Sequence, residues 1–373
     1  MISGSHFVAT TKAFRRNPGA TPRELKELQG VSGTTETEAR TSTQSLAAVL
    51  EEQLIIPSYA SKWAFAAIAV HRASALPLQL HGPADRRAIE LDGETTQVLT
   101  IGRRKLIEPI LTRLFGALPA SSSEGRRATW SPAYLREDAA DLVVAEVHRW
   151  MAPRFRKDGW VIVPRAVRWH GDLASVPPRS RSKSLQANLA KLRKQKFSLV
   201  QGTCADDWDE FYRMMVEPQA LARHGGTAWV PSPAFLRAIA KRGVLHFVVE
   251  EGVRVAGICS VAHGDTVWFP LMGVRQGDPE LLQRGAGVAA LALPIEWARA
   301  SNFQRVDLGR TGSFVNDGLQ QYKRKWGFCP VPDPLSLVVA VWARSPAARR
   351  AFAREPVLAE TGEALETYAG EIA

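Results

Sequence analysis

Two short segments of the sequence carry residue types that could perform chemistry. The first is Arg284-Gly285-Ala286-Gly287-Val288-Ala289, a glycine-rich turn that the sequence places between a strand and a helix. Glycines let backbone N–H groups approach a ligand closely, and a helix N-terminus adds partial positive charge, so this turn could hold a pyrophosphate. An ordinary tight turn has the same pattern, so the segment alone permits both interpretations.

The second segment joins a carboxylate to a tyrosine and a lysine. Asp307 lies in a predicted strand at 305–309, and Tyr322 and Lys323 follow on a predicted helix of about 315–325. These side chains could exchange protons or stabilise charge on a reacting group. For Lys323, Arg324 and Lys325 the alternative is a solvated helix end, because cations there complement the helix dipole.

The elements around both segments follow from the apolar periodicity of the second half. Strand patterns at 245–250, 254–262 and 266–274 are joined by short glycine-containing turns, which predicts a β-meander. The glycine-rich turn, a helix at about 288–301, the strand and helix already described and a last strand at 335–342 come next. Helices are also predicted at 103–117, 137–156, 207–222 and 233–242, and a short buried strand at 160–163.

Composition shifts divide the chain into four predicted regions. Residues 1–50 are rich in Thr, Ser, Gly and Glu without apolar periodicity and are expected to form a mobile leader. An N-terminal domain is expected over 51–176, because the segment that starts with Pro177-Pro178 has the composition of a linker. A second domain is expected over 177–343, followed by a C-terminal helix and tail over 344–373.

The order of these elements resembles the GNAT superfamily of acyltransferases. Arg284-x-x-Gly287-x-Ala289 matches the Arg/Gln-x-x-Gly-x-Gly/Ala loop with which that superfamily binds acyl-CoA. A strand with Asp307-Leu308-Gly309, then a helix with Tyr322-Lys323 that ends in Trp326-Gly327, is similar to the FemAB-like and CelD-type branches. The resemblance covers about 180–342 and is weak over 54–175, and the chain has no obvious candidate for the long helical hairpin of Fem aminoacyltransferases.

The resemblance implies an α/β (α+β) fold with tandem GNAT-like domains, each a mixed, mostly antiparallel twisted sheet flanked by helices, with the C-terminal one catalytic. It implies an N-acyltransferase whose co-substrate is acyl-CoA, or aminoacyl-tRNA as in Fem-like proteins, and whose acceptor is an amine. Backbone N–H groups of 266–274 would polarise the acyl carbonyl, Tyr322 would protonate the leaving group and Lys323 would stabilise the tetrahedral intermediate. The implied donor site contains Arg284, Gly285, Gly287, Val288 and Ala289. The proton acceptor stays open between Asp307, Asp317 and His263.

The positive charge of the chain is concentrated in one place. The chain has 48 Lys and Arg against 37 Asp and Glu, so its formal net charge at pH 7 is +11. Seven basic residues and no acidic residue lie between 179 and 196. This basic segment could contact an anionic donor such as CoA or tRNA, and a non-catalytic nucleic-acid-binding protein is a third hypothesis. The candidate anion-binding residues are Lys183, Lys191, Arg193, Lys194, Arg324 and Lys325.

Other classes of function find little support in the sequence. The histidines lack metal-ligand spacing and there is no Gly-x-Ser-x-Gly elbow, so we expect no metal site and no serine hydrolase. The three cysteines form no C-x-x-C pair, and neither a secretory signal nor a membrane-spanning stretch is evident. We therefore expect a cytoplasmic protein without a tightly bound cofactor.

Overall fold

The computed structural model describes residues 81–129, 131–177, 182–225 and 230–371. The predicted leader at 1–50 and the first part of the predicted N-terminal domain lie outside these residues. The described strands are β1 His81–Leu91, β2 Glu94–Ile101, β3 Ser122–Ala128, β4 Leu142–Val147, β5 Val161–Pro164, β6 Val167–Asp172, β7 Phe197–Gly202, β8 Gly243–Glu250, β9 Val253–His263, β10 Thr266–Trp268, β11 Met272–Val274, β12 Arg305–Thr311, β13 Cys329–Pro332, β14 Val338–Ala343, β15 Val357–Glu360 and β16 Leu365–Tyr368.

Helices connect most of these strands. They are α1 Arg104–Phe115, α2 Pro132–Arg136, α3 Ala152–Lys157, α4 Lys183–Lys194, α5 Ala205–Phe211, α6 Glu217–His224, α7 Pro233–Ala240, α8 Pro279–Arg284, α9 Ala286–Ala300, α10 Gly318–Lys325 and α11 Pro346–Arg354. A single π-helical turn, Tyr212–Val216, joins α5 to α6.

The strands form two large sheets and one hairpin. The first sheet has the order β3-β1-β2-β4-β14-β5, and the second has the order β13-β6-β12-β10-β9-β8-β7 with β11 also paired to β9. One parallel pair occurs in each, β2 with β4 and β10 with β12, and the other described pairings are antiparallel. The predicted fold class, mixed and mostly antiparallel sheets flanked by helices, is confirmed.

Apolar side chains cover both faces of each sheet. In the first sheet, α1 buries Ile107 and Leu111 on one face, while Phe155 of α3 packs on the other. In the second sheet, Leu291 and Ile295 of α9 cover one face. The helices from α5 to α7 cover the opposite face with side chains that include Phe211, Met215, Phe235 and Ile239. β4, whose six residues are all buried, therefore lies between two apolar layers.

The prediction of a helix at 137–156 was wrong. This segment contains β4, whose six residues are all buried, and only the short α3 and a 3₁₀ turn follow it. The apolar run Leu142-Val143-Val144-Ala145 suits a strand buried on both faces, and the β-branched valines favour the extended backbone. The predicted strand at 266–274 is divided into β10 and β11, because Pro270 between them has no N–H to donate.

Two strands pair across the predicted domain boundary. β6 precedes that boundary in the chain but lies in the second sheet, between β12 and β13. β14, expected to end the second domain, lies in the first sheet between β4 and β5. Its residues Val338–Trp342 are apolar on both faces, so a central position in a sheet stabilises them most. The domain limits themselves stay a prediction, and the hairpin of β15 and β16 follows the predicted helix α11.

Candidate active site

The second sheet divides where its parallel strands end. β10 pairs with β12 up to Trp268 and Asp307, and the Phe269 N–H donates to the Asp307 carbonyl at 2.9 Å. Beyond this point β11 pairs only with β9, while β12 continues beside β6 after a register shift between Asp307 and Arg310. Gly309 lies in that shift with φ +70°, a conformation that favours glycine. The carboxyl ends of two parallel strands therefore separate beside α10.

Lys323 projects from α10 into this division. Its side chain is buried, and Nζ donates to the carbonyls of Leu308 at 2.9 Å, Arg310 at 3.2 Å and Gly309 at 3.4 Å. Burial lowers the pKa of Lys323 to about 7, and the negative charge of Asp307 acts in the opposite direction. The lysine thus holds the free end of β12 and changes its charge near neutral pH.

Asp307 lies directly below this lysine and is itself held from three sides. Both Nε and Nη2 of Arg168 donate to Oδ2, the former at 3.0 Å, and the Gly309 N–H donates to Oδ1 at 2.6 Å. His170 Nε2 is 3.5 Å from Oδ2. Burial by itself would raise the pKa of Asp307, but the hydrogen bond from His170 and the charge of Arg168 bring it below its ordinary value. The group is therefore a carboxylate at neutral pH.

Tyr322 precedes Lys323 on α10 and packs against Trp326, with the ring centroids 6.1 Å apart. Burial raises the pKa of the Tyr322 phenol, against the effects of a hydrogen bond from Trp326 and of the charge of Arg223. The phenol therefore keeps its proton at neutral pH and is a weaker acid than an exposed tyrosine. Trp268 contributes another donor, because its buried Nε1 has no hydrogen-bond partner among the described residues and lies beside Gly309.

The glycine-rich turn stands at the start of α9. Gly285, with φ +104°, ends α8 and begins α9, and its carbonyl accepts the N–H groups of Val288 and Ala289. The amides of Ala286 and Gly287 precede the first of these bonds. Gly287 leaves little room beside it, since a Cβ there would lie 3.2 Å from Leu282. Ala289 is buried, Val288 is half-buried, and the exposed Arg284 is 3.3 Å from the carboxylate of Glu250. The predicted donor site at this turn stays a prediction, and Gly285 and Ala286 are buried.

The basic helix α4 ends near this turn. Its Leu192 packs in the same apolar cluster as Ala286 and Ala289, which brings the last turn of α4 to the beginning of α9. That last turn contains Lys191, Arg193 and Lys194, all exposed. Lys183 lies at the other end of the helix, roughly 17 Å away at 1.5 Å per residue. Of the four candidate anion-binding residues on α4, three therefore lie near the glycine-rich turn.

Several other groups that the sequence analysis proposed for the site make different contacts in the structure. Asp317 caps α10 by accepting the N–H groups of Leu319 and Gln320. His263 pairs with Thr266, at the opposite end of the strands from Asp307. Arg324 and Lys325 are exposed on α10, and the Arg324 guanidinium lies 5.8 Å from the ring of Trp169. The strand amides are partly engaged as well, because Val274 N–H donates to Gln219.

Arg168 and His170 are absent from the sequence prediction although both contact Asp307. They alternate on β6 around the buried Trp169, so they share one face of the strand. The spacing of two residues between Arg168 and His170 was the one sign in the sequence that they share a face. It could not indicate a contact with Asp307, because that contact depends on the pairing of β6 with β12, which brings His170 opposite Asp307.

No group of His, Cys, Asp and Glu in the described part of the chain has the arrangement of a metal site. Among the described helices, none has the length and apolarity needed to cross a membrane.

In the second sheet, β10 and β12 thus separate near the helix that contains Tyr322 and the buried Lys323. Residues 179–324 match the family model described as an acetyltransferase (GNAT) domain. The resemblance inferred from the sequence is confirmed. The match includes the glycine-rich turn, Asp307, Tyr322 and Lys323, and it begins after β6.

The chain is also similar to solved structures at low sequence identity. L-PGS from Bacillus licheniformis is 12% identical, with 70% of this chain and 85% of that chain covered and a TM-score of 0.36. FemX is 11% identical, with 69% and 88% covered and a TM-score of 0.37. A GCN5-related N-acetyltransferase from Anabaena variabilis is 10% identical, with 78% and 72% covered and a TM-score of 0.29. No match was found among curated proteins.

Proposed function

We propose that the chain is an N-acyltransferase that transfers an acyl group from acyl-CoA to a primary amine of a small molecule or peptide-like acceptor. The amine attacks the thioester directly. One observation supports this most strongly: Lys323 donates to the β12 carbonyls that follow Asp307, where β10 and β12 separate, and Tyr322 precedes it on the same helix. A substrate acyl group in that division would lie between a strand edge, a proton donor and a charged cluster.

The glycine-rich turn and the end of α4 would hold the donor. The pyrophosphate of CoA would accept hydrogen bonds from the first amides of α9, where the helix dipole also favours negative charge. Lys191, Arg193 and Lys194 would add positive charge for the nucleotide phosphates. These exposed contacts should weaken with salt, whereas the amide contacts should persist.

The edge of β11 would polarise the acyl carbonyl. The Leu271 carbonyl accepts from Cys259 on β9, so in this antiparallel pair the N–H groups of Met272 and Val274 point away from β9. Gln219 takes the N–H of Val274. The Met272 N–H is therefore the amide of β11 that we assign to the carbonyl oxygen, where negative charge develops during attack.

Tyr322 and Lys323 would act on the two charges of the reaction. As the amine nitrogen bonds to the carbonyl carbon, the C–S bond breaks and the departing thiolate takes the proton of the Tyr322 hydroxyl. The Nζ of Lys323 holds three carbonyls at the end of β12, so it can stabilise an oxyanion only by exchanging one of them. Its first role is thus to fix the strand end against which the reaction occurs.

The close alternative is an aminoacyl-tRNA donor, with the same fold and the same attacking amine. The exposed basic residues of α4 favour it, because they extend the positive surface beyond the glycine-rich turn. Both donors present an acyl carbon to the same division of the sheet. Ribonuclease distinguishes them, since it abolishes transfer from aminoacyl-tRNA and leaves transfer from acyl-CoA unchanged.

The test is mass-spectrometric detection of acylated amine with panels of acyl-CoA donors and amines, at low and moderate salt. Transfer is expected in the full chain, with a loss of about 10²-fold or more in kcat for Tyr322→Phe and weakened donor binding for Gly287→Glu. Tyr134→Phe is the matched control, because Tyr134 is half exposed on α2 of the first sheet. Absence of transfer from any donor, or full activity in both site variants, would remove the proposal. Nucleic-acid binding without transfer would instead favour the third hypothesis.

A further inference from the structure

His170 is the accessible member of the polar cluster around Asp307. Its side chain is 36% exposed, whereas those of Arg168 and Asp307 are 4% and 5% exposed. β6 holds it directly opposite Asp307 in the antiparallel pairing with β12. The imidazole therefore has one side on a buried carboxylate and another side open to a substrate.

The buried carboxylate decides which nitrogen of His170 is free. Asp307 is fixed by Arg168 on Oδ2 and by the Gly309 N–H on Oδ1, so it stays in place as an acceptor. His170 Nε2 faces Oδ2 at 3.5 Å, which favours the proton on Nε2 and the lone pair on Nδ1. This is the arrangement in which a carboxylate orients an imidazole for proton transfer.

We propose that His170 is the general base of the acyl transfer, with Nδ1 accepting the proton of the attacking amine. This inference rests on the proposed function. As the N–C bond forms and the C–S bond breaks, the amine proton moves to Nδ1 and the thiolate takes the proton of Tyr322. The imidazolium later returns its proton to solvent, and the tyrosinate is reprotonated, so charges and atoms balance.

The charges around His170 suit this role. Asp307 on β12 stabilises the imidazolium, while Arg168 on the same strand and Lys323 on α10 oppose it. On the other neighbouring strand, β13, the residue opposite His170 is the exposed Cys329. The charged group within reach of the His170 ring is the carboxylate of Asp307.

The alternatives considered from the sequence are less suitable as bases. Both oxygens of Asp307 accept hydrogen bonds within a buried site, and Asp317 accepts the amides of a helix start. His263 lies at the other end of the strands. His170 combines an exposed side with an orienting carboxylate, and that carboxylate lies where β10 and β12 separate.

The first experiment measures kcat and KM over a range of pH for wild-type protein, His170→Gln and Asp307→Asn. We expect His170→Gln to lower kcat by about 10²-fold or more, with KM for acyl-CoA within about twofold. The plot of kcat/KM against pH for His170→Gln should lack the decrease at acidic pH that the wild-type protein shows. Imidazole in the buffer should partly restore His170→Ala. His81→Gln, at an exposed histidine of β1, serves as control and should leave kinetics unchanged. Full activity of His170→Gln with an unchanged acid limb would overturn the proposal.

A second experiment does not depend on the donor. Nitrogen NMR of ¹⁵N-histidine-labelled wild-type protein should show His170 with the proton on Nε2, and Asp307→Asn should shift this tautomer. A proton on Nδ1 in the wild type would refute the assignment even if acyl transfer is observed. The expected tautomer without transfer from any donor would refute the acyltransferase and, with it, the role of the base.

Discussion

The buried amine of Lys323 should make the stability of the protein depend on pH in a direction opposite to that of a salt-bridged lysine. Burial lowers its pKa to about 7 in the folded chain, against 10.5 for an exposed lysine. Between these values the unfolded chain binds a proton that the folded chain does not bind. The free energy of unfolding therefore rises with pH across this window and is lowest below pH 7, where both states carry the charge.

The magnitude follows from the same two values. Each pH unit inside the window is worth about 1.4 kcal/mol, and the gain is smaller close to pH 7 because the folded state is half protonated there. From pH 7 to pH 9 we expect roughly 2 kcal/mol of added stability from this one group. Lys323→Met gives the reference, since methionine fills a similar volume without titrating.

The assay is urea unfolding followed by tryptophan fluorescence at pH 6, 7, 8 and 9. The quantity of interest is the difference in unfolding free energy between wild type and Lys323→Met, in which the titration of all other groups cancels. Lys325→Met is the matched control on the same helix, and its difference from wild type should be constant. A constant difference for Lys323→Met as well would refute the reasoning. It would mean that three carbonyls and Asp307 keep Nζ charged across the range.

Three further outcomes follow from other parts of the structure. Gly273→Ala should cost about 1–3 kcal/mol in urea unfolding, because a Cβ there overlaps the backbone of Met215 in the π-helical turn; an unchanged midpoint would show that the turn can move. Asp207 has a pKa of about 2, chiefly through the N–H of residue 203, so Asp207→Asn should lose about 1–2 kcal/mol at pH 7 after solvent screening. That deficit should shrink as the pH falls toward 2, and a deficit that grows would contradict it. Glu146→Ala should lower stability by about 3 kcal/mol because it leaves the Arg103 guanidinium without its buried partner, and a melting temperature equal to wild type would argue against this.

The sequence predicted the second sheet better than the first for a physical reason. Strands β8 and β9 are joined by a two-residue turn, so local periodicity and turn residues determine their pairing. β14 and β6 pair with strands far away in the chain, and nothing local indicates their partners. The mistaken helix at 137–156 has the same origin, since a fully buried strand has no alternation of apolar and polar residues to identify it.

The candidate site shows the same limit at the level of side chains. Tyr322 and Lys323 could be proposed because a motif names them, and their roles stay a prediction. Arg168 and His170 could not, because their contact with Asp307 exists only through the pairing of β6 with β12. The exposure of His170 is also a property of the whole sheet, so no spacing in the sequence encodes it.

The two parallel strand pairs differ in the partner of the carboxylate on their second strand. In the first sheet the carboxylate at the end of β4 is Glu146, and it accepts the N–H and the guanidinium of Arg103 at the start of α1. An internal anion thus occupies the position that a phosphate would need at that helix. In the second sheet Asp307 pairs with Arg168 from β6. Under the proposed function, the start of α9 would bind an external anion and Asp307 would orient His170. Glu146→Gln should therefore not create a donor site, because Gln can still accept from Arg103, whereas Asp307→Asn should remove activity while leaving CoA binding intact in equilibrium dialysis.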